Sequence, residues 1–170
     1  KYRTISGAGN RPYFSPFLTK NHIHSFKDLL ITEGEKKADS LCIHGIPTIG
    51  LAGVWSWKDG RSGGMLPELE DIKWRGRNVF ILFDSDVVLK DQVKKALEAL
   101  SNSLTEKGAK VRVALLPMDL DGTKNGADDF LVKYGREALL QLLGKARDSH
   151  KNGKFIWKDE PTLSHHIAVT

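Results

Sequence analysis

The sequence predicts an α/β fold with a central, mostly parallel sheet of about four strands and helices on both faces. Short apolar runs of the kind found in strands buried on both sides alternate with amphipathic segments along the middle of the chain. Gly45 and Gly108 stand where those amphipathic segments run out, at positions suited to a helix terminus. Acidic residues follow two of the apolar runs at once, where loops leave the carboxyl ends of parallel strands and ligands usually bind.

Taken in order, residues 1–27 are rich in Gly, Pro, Asn and Ser and lack a period, so they read as a basic, irregular N-terminal arm with room for one short strand. From Asp28 the texture changes: Leu29, Leu30, Ile31 and Thr32 make a buried strand, followed directly by Glu33, Gly34 and Glu35. The helix beyond sets Ala38, Leu41 and Cys42 on one face and stops at Gly45. Pro47 restarts the chain, Thr48–Leu51 is the second strand, and residues 52–55 loop past its end. Residues 66–72 suit a short helix with Pro67 in its first turn. Asn78–Phe83 is apolar on both faces, hence central, and runs into Asp84, Ser85 and Asp86. Residues 91–107 form a helix with Val93, Ala96, Leu97, Leu100 and Leu104 along one stripe, and residues 110–116 form another strand. A polar loop over 119–127 precedes two short helices, 127–134 and 136–146, parted by Gly135; residues 155–157 suit a last edge strand. The division is therefore an arm (1–27), a core (28–135) and a C-terminal helix with an extension (136–170). Alternation of strand and helix at this spacing calls for right-handed crossovers between parallel strands.

With 170 residues, 40% of them hydrophobic, the chain can bury one sizeable core but not two. It opens on Lys1 rather than Met, which suits a piece of a longer protein with neighbouring domains, or removal of an upstream segment. No run approaches the roughly 20 apolar residues of a membrane span, and the basic start lacks the apolar block of a signal peptide, so a soluble protein without a membrane partner is expected. Cys42 stands alone, which excludes a disulfide within the chain and a paired-cysteine zinc ribbon and suits a reducing cytoplasm. The net charge of +5 is unevenly spread: residues 1–27 hold Lys1, Arg3, Arg11, Lys20 and Lys27 without one acid, and residues 73–77 and 145–158 are basic again. Such segregation suits a phosphate-binding surface, although solvated basic faces are common.

The chemistry concentrates at the carboxyl edge. Glu33 follows the first buried strand and Asp84 and Asp86 follow the central one, so a single fold brings three carboxylates within reach of one another. Like charges that close raise one another's pKa unless a cation sits between them. Mg²⁺ is the natural occupant: it takes hard oxygen ligands, keeps several waters, and is typically held by one or two carboxylates plus substrate phosphate. The two-residue spacing of Asp84 and Asp86 points both side chains the same way on an extended backbone. A third acidic element around Asp128 and Asp129 could hold a second ion, as in the paired-ion sites of polymerases and nucleases. Alone, an Asp-x-Asp pair is weak, because loop residues and helix caps supply many such pairs by chance. Its order among strands and helices is what gives it weight.

That order resembles the Toprim family, a Rossmann-like fold shared by bacterial-type primases, topoisomerases and certain nucleases, over residues 28–135. L-L-I-T-E-G-E-K-K-A is similar to the family's glutamate motif, V-F-I-L-F-D-S-D to its Asp-x-Asp motif, and G-A-D-D-F-L-V-K-Y-G to the acidic segment after the last strand in primases. With K-Y-R-T at its start and G-L-A-G-V-W-S-W, the whole chain is similar to the Toprim-like domain of phage and plasmid primases and primase-helicases. The resemblance implies that Glu33 binds metal or acts as general acid and base, that Asp84 and Asp86 bind Mg²⁺, with Mn²⁺ as a substitute, and that Asp128 supplies the third site. It departs from the family where Ala127 replaces a proline before Asp128, and where Val87, Val88, Leu89 and Lys90 lack the glycine often found after Asp-x-Asp; the register at Asp128 and Asp129 stays open.

The function so implied is RNA primer synthesis by a DNA primase, with single-stranded DNA as template, ribonucleoside triphosphates as substrates and a helicase domain or protein as partner. The setting would be the cytoplasm of a bacterial cell replicating a phage, plasmid or other mobile element. The alternatives are a Mg²⁺-dependent Toprim nuclease and a non-catalytic single-strand-binding module of a primase-helicase. Topoisomerase activity needs strand-holding domains for which this length has no room. Lys36 and Lys37 open a helix against its dipole and so suit a phosphate or template contact better than a structural role. Trp55, Trp57 and Trp74 interleave with Lys58, Arg61, Lys73, Arg75 and Arg77, a pattern that stacks bases while neutralising phosphates, although tryptophans more often pack in cores. His22, His24, His165 and His166 lack partners at ligand spacing and read as surface residues.

Overall fold

The computed structural model describes residues 9–18, 23–86, 90–119, 121–151 and 153–156. Six stretches pair into one sheet: β1 (Tyr13–Phe14), β2 (Asp28–Glu33), β3 (Thr48–Leu51), β4 (Asn78–Phe83), β5 (Lys110–Leu115) and β6 (Arg147–Asp148). Their order is β1-β3-β2-β4-β5-β6. The four longer strands are mutually parallel, as their two-sided burial demands, and the short β1 and β6 close the edges antiparallel. β1 is the short strand for which the arm had room. The helices are α1 (Glu35–Ile43), α2 (Pro67–Glu70), α3 (Asp91–Glu106) and α4 (Ala127–Lys145).

Successive strand residues point to opposite faces, and the core divides accordingly. Leu29, Ile31, Val79, Ile81, Phe83 and Val111 pack with Leu97, Leu100 and Leu104 of α3 and with Leu69, Ile72 and Trp74. On the other face Leu30, Leu82 and Ala114 meet Leu41 of α1 and Phe130, Leu131, Leu139 and Leu142 of α4. The mostly parallel sheet covered on both sides therefore stands as the sequence predicts. So does the break at Gly135, whose φ of 80° and ψ of 170° interrupt α4.

The last strand is a correction. Residues 154 and 155 form β8 (Lys154–Phe155), which pairs with β7 (His150–Lys151) in a separate two-stranded ribbon. The free edge of β5 is already taken, because the chain leaving α4 at Ala146 turns straight into β6 and pairs Arg147 with Val113 and Asp148 with Arg112. Position 157 lies outside the described residues, as do His22, His165 and His166. Among the described residues no helix is long and apolar enough to cross a membrane.

Candidate active site at the carboxyl edge of the sheet

The strand register sets the site. Thr32 stands opposite Leu82, so Glu33 ends β2 level with Phe83 and Asp84 follows one residue later at the rim. The Thr32 hydroxyl donates to the Leu82 carbonyl at 2.8 Å, a side-chain tie that holds the two strand ends together. Beyond Glu33, Gly34 takes a φ of 106°, which a residue with a side chain adopts only under strain, and this turn starts α1 directly over the strand end. Lys37 then falls within the first turn of the helix and reaches across to Asp84.

Asp84 is nearly buried, at 5% exposure, and both of its carboxylate oxygens are taken. The Lys37 Nζ donates to Oδ1 at 2.5 Å and the Lys124 Nζ stands 2.6 Å from Oδ2. Lys124 is also 3.8 Å from Asp86 Oδ2, which receives Lys90 at 2.5 Å. Two carboxylates thus meet three ammonium groups, with Glu33 within range of their charges. The electrostatics follow: burial first, and then the charge of Asp84, push the Glu33 carboxyl above the ordinary glutamate range, against the opposing pull of Lys37 and Lys124. For Asp86 burial pushes upward too, but the hydrogen bond from Lys90 and the charges of Lys124 and Lys90 outweigh it and hold the group below the usual range. Lys124 is raised, chiefly by its hydrogen bond to Asp84.

The third acidic element joins the same edge. Ser85 and Asn125 form a reciprocal pair, the Ser85 N–H donating to the Asn125 carbonyl at 3.0 Å and the Asn125 N–H to the Ser85 hydroxyl at 2.8 Å. The next residue, Gly126, lies so close to Lys37 and Asp128 that a Cβ there would sit 3.0 Å from Lys37 Cε and 2.8 Å from Asp128 Oδ1. Asp129 turns back to accept the Gly126 N–H at 3.3 Å, an N-terminal cap for α4, whereas Asp128 Oδ1 is buried with no hydrogen-bond partner among the described residues. Asp128 thus keeps a buried carboxylate oxygen without a partner, whereas exposed Asp129 spends one oxygen on the cap.

An all-oxygen donor set, an orphaned carboxylate oxygen and a Glu33 repelled by its neighbour fit the chemistry of a hard divalent cation. Among the described residues, however, no three His, Cys, Asp or Glu side chains stand as a ready-made metal cage. Lysines occupy both oxygens of Asp84 and Oδ2 of Asp86 instead.

The basic residues divide. Lys36, Arg61, Lys73 and Arg75 are exposed, and Lys58 is half-buried with its Nζ 4.8 Å from the ring centre of Trp55. Trp55 is 38% exposed, free to present a face to a ligand. Two indoles and one arginine are corrections. Trp57 and Trp74 are core residues, the latter donating its indole N–H to the Leu69 carbonyl at 2.8 Å. Arg77 is buried and spends its guanidinium on the carbonyls of Ile23, His24 and Phe26, so it is not on a phosphate-binding surface. Sequence reasoning missed Lys124, Lys90 and the Ser85–Asn125 pair; the only signal was position, a lysine and an asparagine just ahead of the acidic G-A-D-D segment.

A family model described as Domain of unknown function (DUF3854) matches residues 22–138. Gene 57 protein of Mycobacterium phage D29 is 29% identical over 143 residues, 84% of this chain and 78% of that protein. An uncharacterized protein of Picosynechococcus sp. is 29% identical over 147 residues, 79% of this chain but only 14% of that one. Among solved structures, the zinc-binding and RNA polymerase domains of the Aquifex aeolicus primase are similar at a TM-score of 0.51 and 18% identity, over 76% of this chain and 28% of that one. The likeness is one of fold.

Proposed function

The chain belongs to the DUF3854 family, and from the edge described above we propose that it is a Toprim-type nucleotidyl-transfer domain, a DNA primase that makes RNA primers on single-stranded DNA. The observation that carries this reading is the convergence of Glu33, Asp84 and Asp128 from three separate turns onto one edge, with lysines between them. Glu33, Asp84, Asp86 and Asp128 would hold Mg²⁺, which when bound supplies charge stabilisation at a phosphoryl group in transfer. Glu33, whose carboxyl takes up a proton more readily than usual, is suited to accept the proton of an attacking hydroxyl. Lys37 and Lys124 are suited to neutralise phosphate oxygens, and the loop with Trp55, Lys58 and Arg61 to stack and neutralise a single strand. The fold likeness to a bacterial primase and the relative from a phage support replication of a mobile element as the setting.

The test is template-dependent primer synthesis by the purified chain with ribonucleoside triphosphates and Mg²⁺. Asp84→Asn and Glu33→Gln should each abolish synthesis while the fold stays intact by circular dichroism. If synthesis survives both substitutions, the reading is wrong. Cleavage of labelled DNA in place of synthesis would make the same site a nuclease. The occupation of Asp84 by two lysines favours a second reading, a single-strand-binding module without catalysis. Strand binding that survives EDTA, with no synthesis or cleavage under any divalent ion, would decide for it.

A further inference from the structure

Lys124 differs from Lys37 in one respect that bears on how the site fills. Both neutralise Asp84, but the Lys37 side chain is only 20% exposed and is carried by a helix, whereas that of Lys124 is 51% exposed and belongs to the loop ahead of α4. A divalent ion approaching Asp84 from solvent has to displace an ammonium from a carboxylate whose two oxygens are both engaged. Lys124 is the one free to leave. Once displaced, its charge is stranded beside a newly arrived dication, a repulsion that an anion would relieve. The loop end that carries it is anchored at the next residue, because Asn125 is locked to Ser85, so Lys124 can swing outward without leaving the rim.

We propose that Lys124 is an exchangeable counter-ion, bound to Asp84 in the ligand-free site and transferred to a substrate phosphate when a divalent ion takes its place, so that metal and polyphosphate bind cooperatively. This inference rests on the metal-site reading above. It makes Lys124 a competitor of the metal in the absence of nucleotide and a partner of the nucleotide in its presence. Coupling of this sort is reciprocal, and coupled sites typically change each other's affinity by about 5- to 150-fold.

Binding of Mn²⁺ to the intact chain, read by electron paramagnetic resonance with and without a non-hydrolysable ribonucleoside triphosphate, tests the proposal. Asp84→Asn measures the chelation of Mn²⁺ by triphosphate in solution. In the wild type the triphosphate should tighten Mn²⁺ binding about tenfold beyond that baseline. Lys124→Met should bind Mn²⁺ alone several-fold more tightly than wild type and gain nothing further from triphosphate, and Lys124→Arg, which keeps the charge, should behave as wild type in the absence of triphosphate. Thermal unfolding gives a second readout: Lys124→Met leaves Asp84 with one ammonium fewer, so its melting temperature in metal-free buffer should fall and Mn²⁺ should raise it by more than in wild type. If Mn²⁺ binds the wild type and is lost in Asp84→Asn, but Lys124→Met binds it no more tightly, the exchange is refuted while the metal site stands. If triphosphate fails to tighten Mn²⁺ binding in the wild type, the coupling is refuted whatever the variants do. If Mn²⁺ does not bind the wild type, the metal site and the exchange fall together.

Discussion

Arg77 offers the sharpest separation of a structural role from a binding one. Its Nη1 donates to the carbonyls of Ile23 at 2.6 Å and Phe26 at 2.9 Å, and its Nη2 to that of His24 at 2.9 Å. Arg77 is only 7% exposed, and among the described residues its guanidinium has no ion-pair partner. Burial alone lowers its pKa, with no carboxylate to offset it. Three charge-assisted bonds at about 1.5–3 kcal/mol each would sum to far more than the net value, because desolvating the guanidinium is costly and two of the freed carbonyls belong to exposed residues that water can reach. A net loss of about 2–4 kcal/mol is expected for Arg77→Ala, seen as a lowered urea midpoint and a melting temperature lower by roughly 5–15 °C for a domain of this size. Arg77→Lys should fall between, since an ammonium cannot span three carbonyls as the planar fork does. The contrast with its neighbours completes the test: Lys73→Ala and Arg75→Ala, both exposed, should weaken single-strand binding and leave the urea midpoint unchanged. A loss under about 1 kcal/mol for Arg77→Ala, or a binding defect in it larger than in those two variants, would overturn the structural assignment.

Three further outcomes are expected. Gly126→Ala keeps an ordinary backbone (φ −95°, ψ 168°) but drives a methyl against Lys37 and Asp128, so stability should change by less than about 1 kcal/mol while primer synthesis drops by about ten- to a hundredfold; equal losses in both assays would show a folding defect instead. Because the folded state raises the pKa of Glu33, both states are protonated in strong acid, and as pH rises the unfolded chain ionises first, so the penalty grows through the glutamate range and is complete above the raised value; Glu33→Gln should raise the melting temperature at about pH 8 but not at about pH 3, and an equal gain at both would refute the electrostatic cause. His150, lowered chiefly by burial against the opposing charge of Glu98, is held by Asn102 Oδ1 at 2.7 Å and the Ser149 hydroxyl at 2.9 Å, so the unfolded chain takes up the proton first as pH falls and stability should decline below about pH 6.5; His150→Asn should flatten that decline in urea midpoints measured at about pH 7.5 and 5.5.

What the sequence displayed of this fold is what burial imposes over a span of several residues. Asn78–Phe83 and Asp28–Glu33 are legible because a strand covered on both sides has almost no polar position, and α3 because its stripe runs for about three turns. β6 and the β7–β8 ribbon have two residues per strand, too few to show any period. The tryptophans misled for a related reason. Trp74 lies between Lys73 and Arg75, and in a non-helical stretch adjacent side chains face opposite ways, so basic neighbours at the surface place the indole in the core. The acidic residues of the site could be found because their strands announce them; Lys124 could not, because a loop residue is aimed by tertiary contacts that leave no local pattern.

Those contacts explain why two motifs some way apart in the chain act as one edge. Ser85 sits between Asp84 and Asp86, and its reciprocal bonds to Asn125 fasten the Asp-x-Asp turn to the segment that carries Lys124 and Asp128. Both residues are buried, at 2% and 0% exposure, so neither bond competes with water. Yet the Asn125 side-chain amide has no partner among the described residues, a deficit that costs about 1–3 kcal/mol in a buried group. An apolar residue would fill the same space without that cost. A fold that retains an unsatisfied amide one residue from a carboxylate-binding lysine, and three from an orphaned carboxylate oxygen, has kept polarity where packing alone gives no reason for it; among the described residues the one other buried side-chain group without a partner is the Trp57 indole N–H, so unmet hydrogen bonds concentrate at this edge.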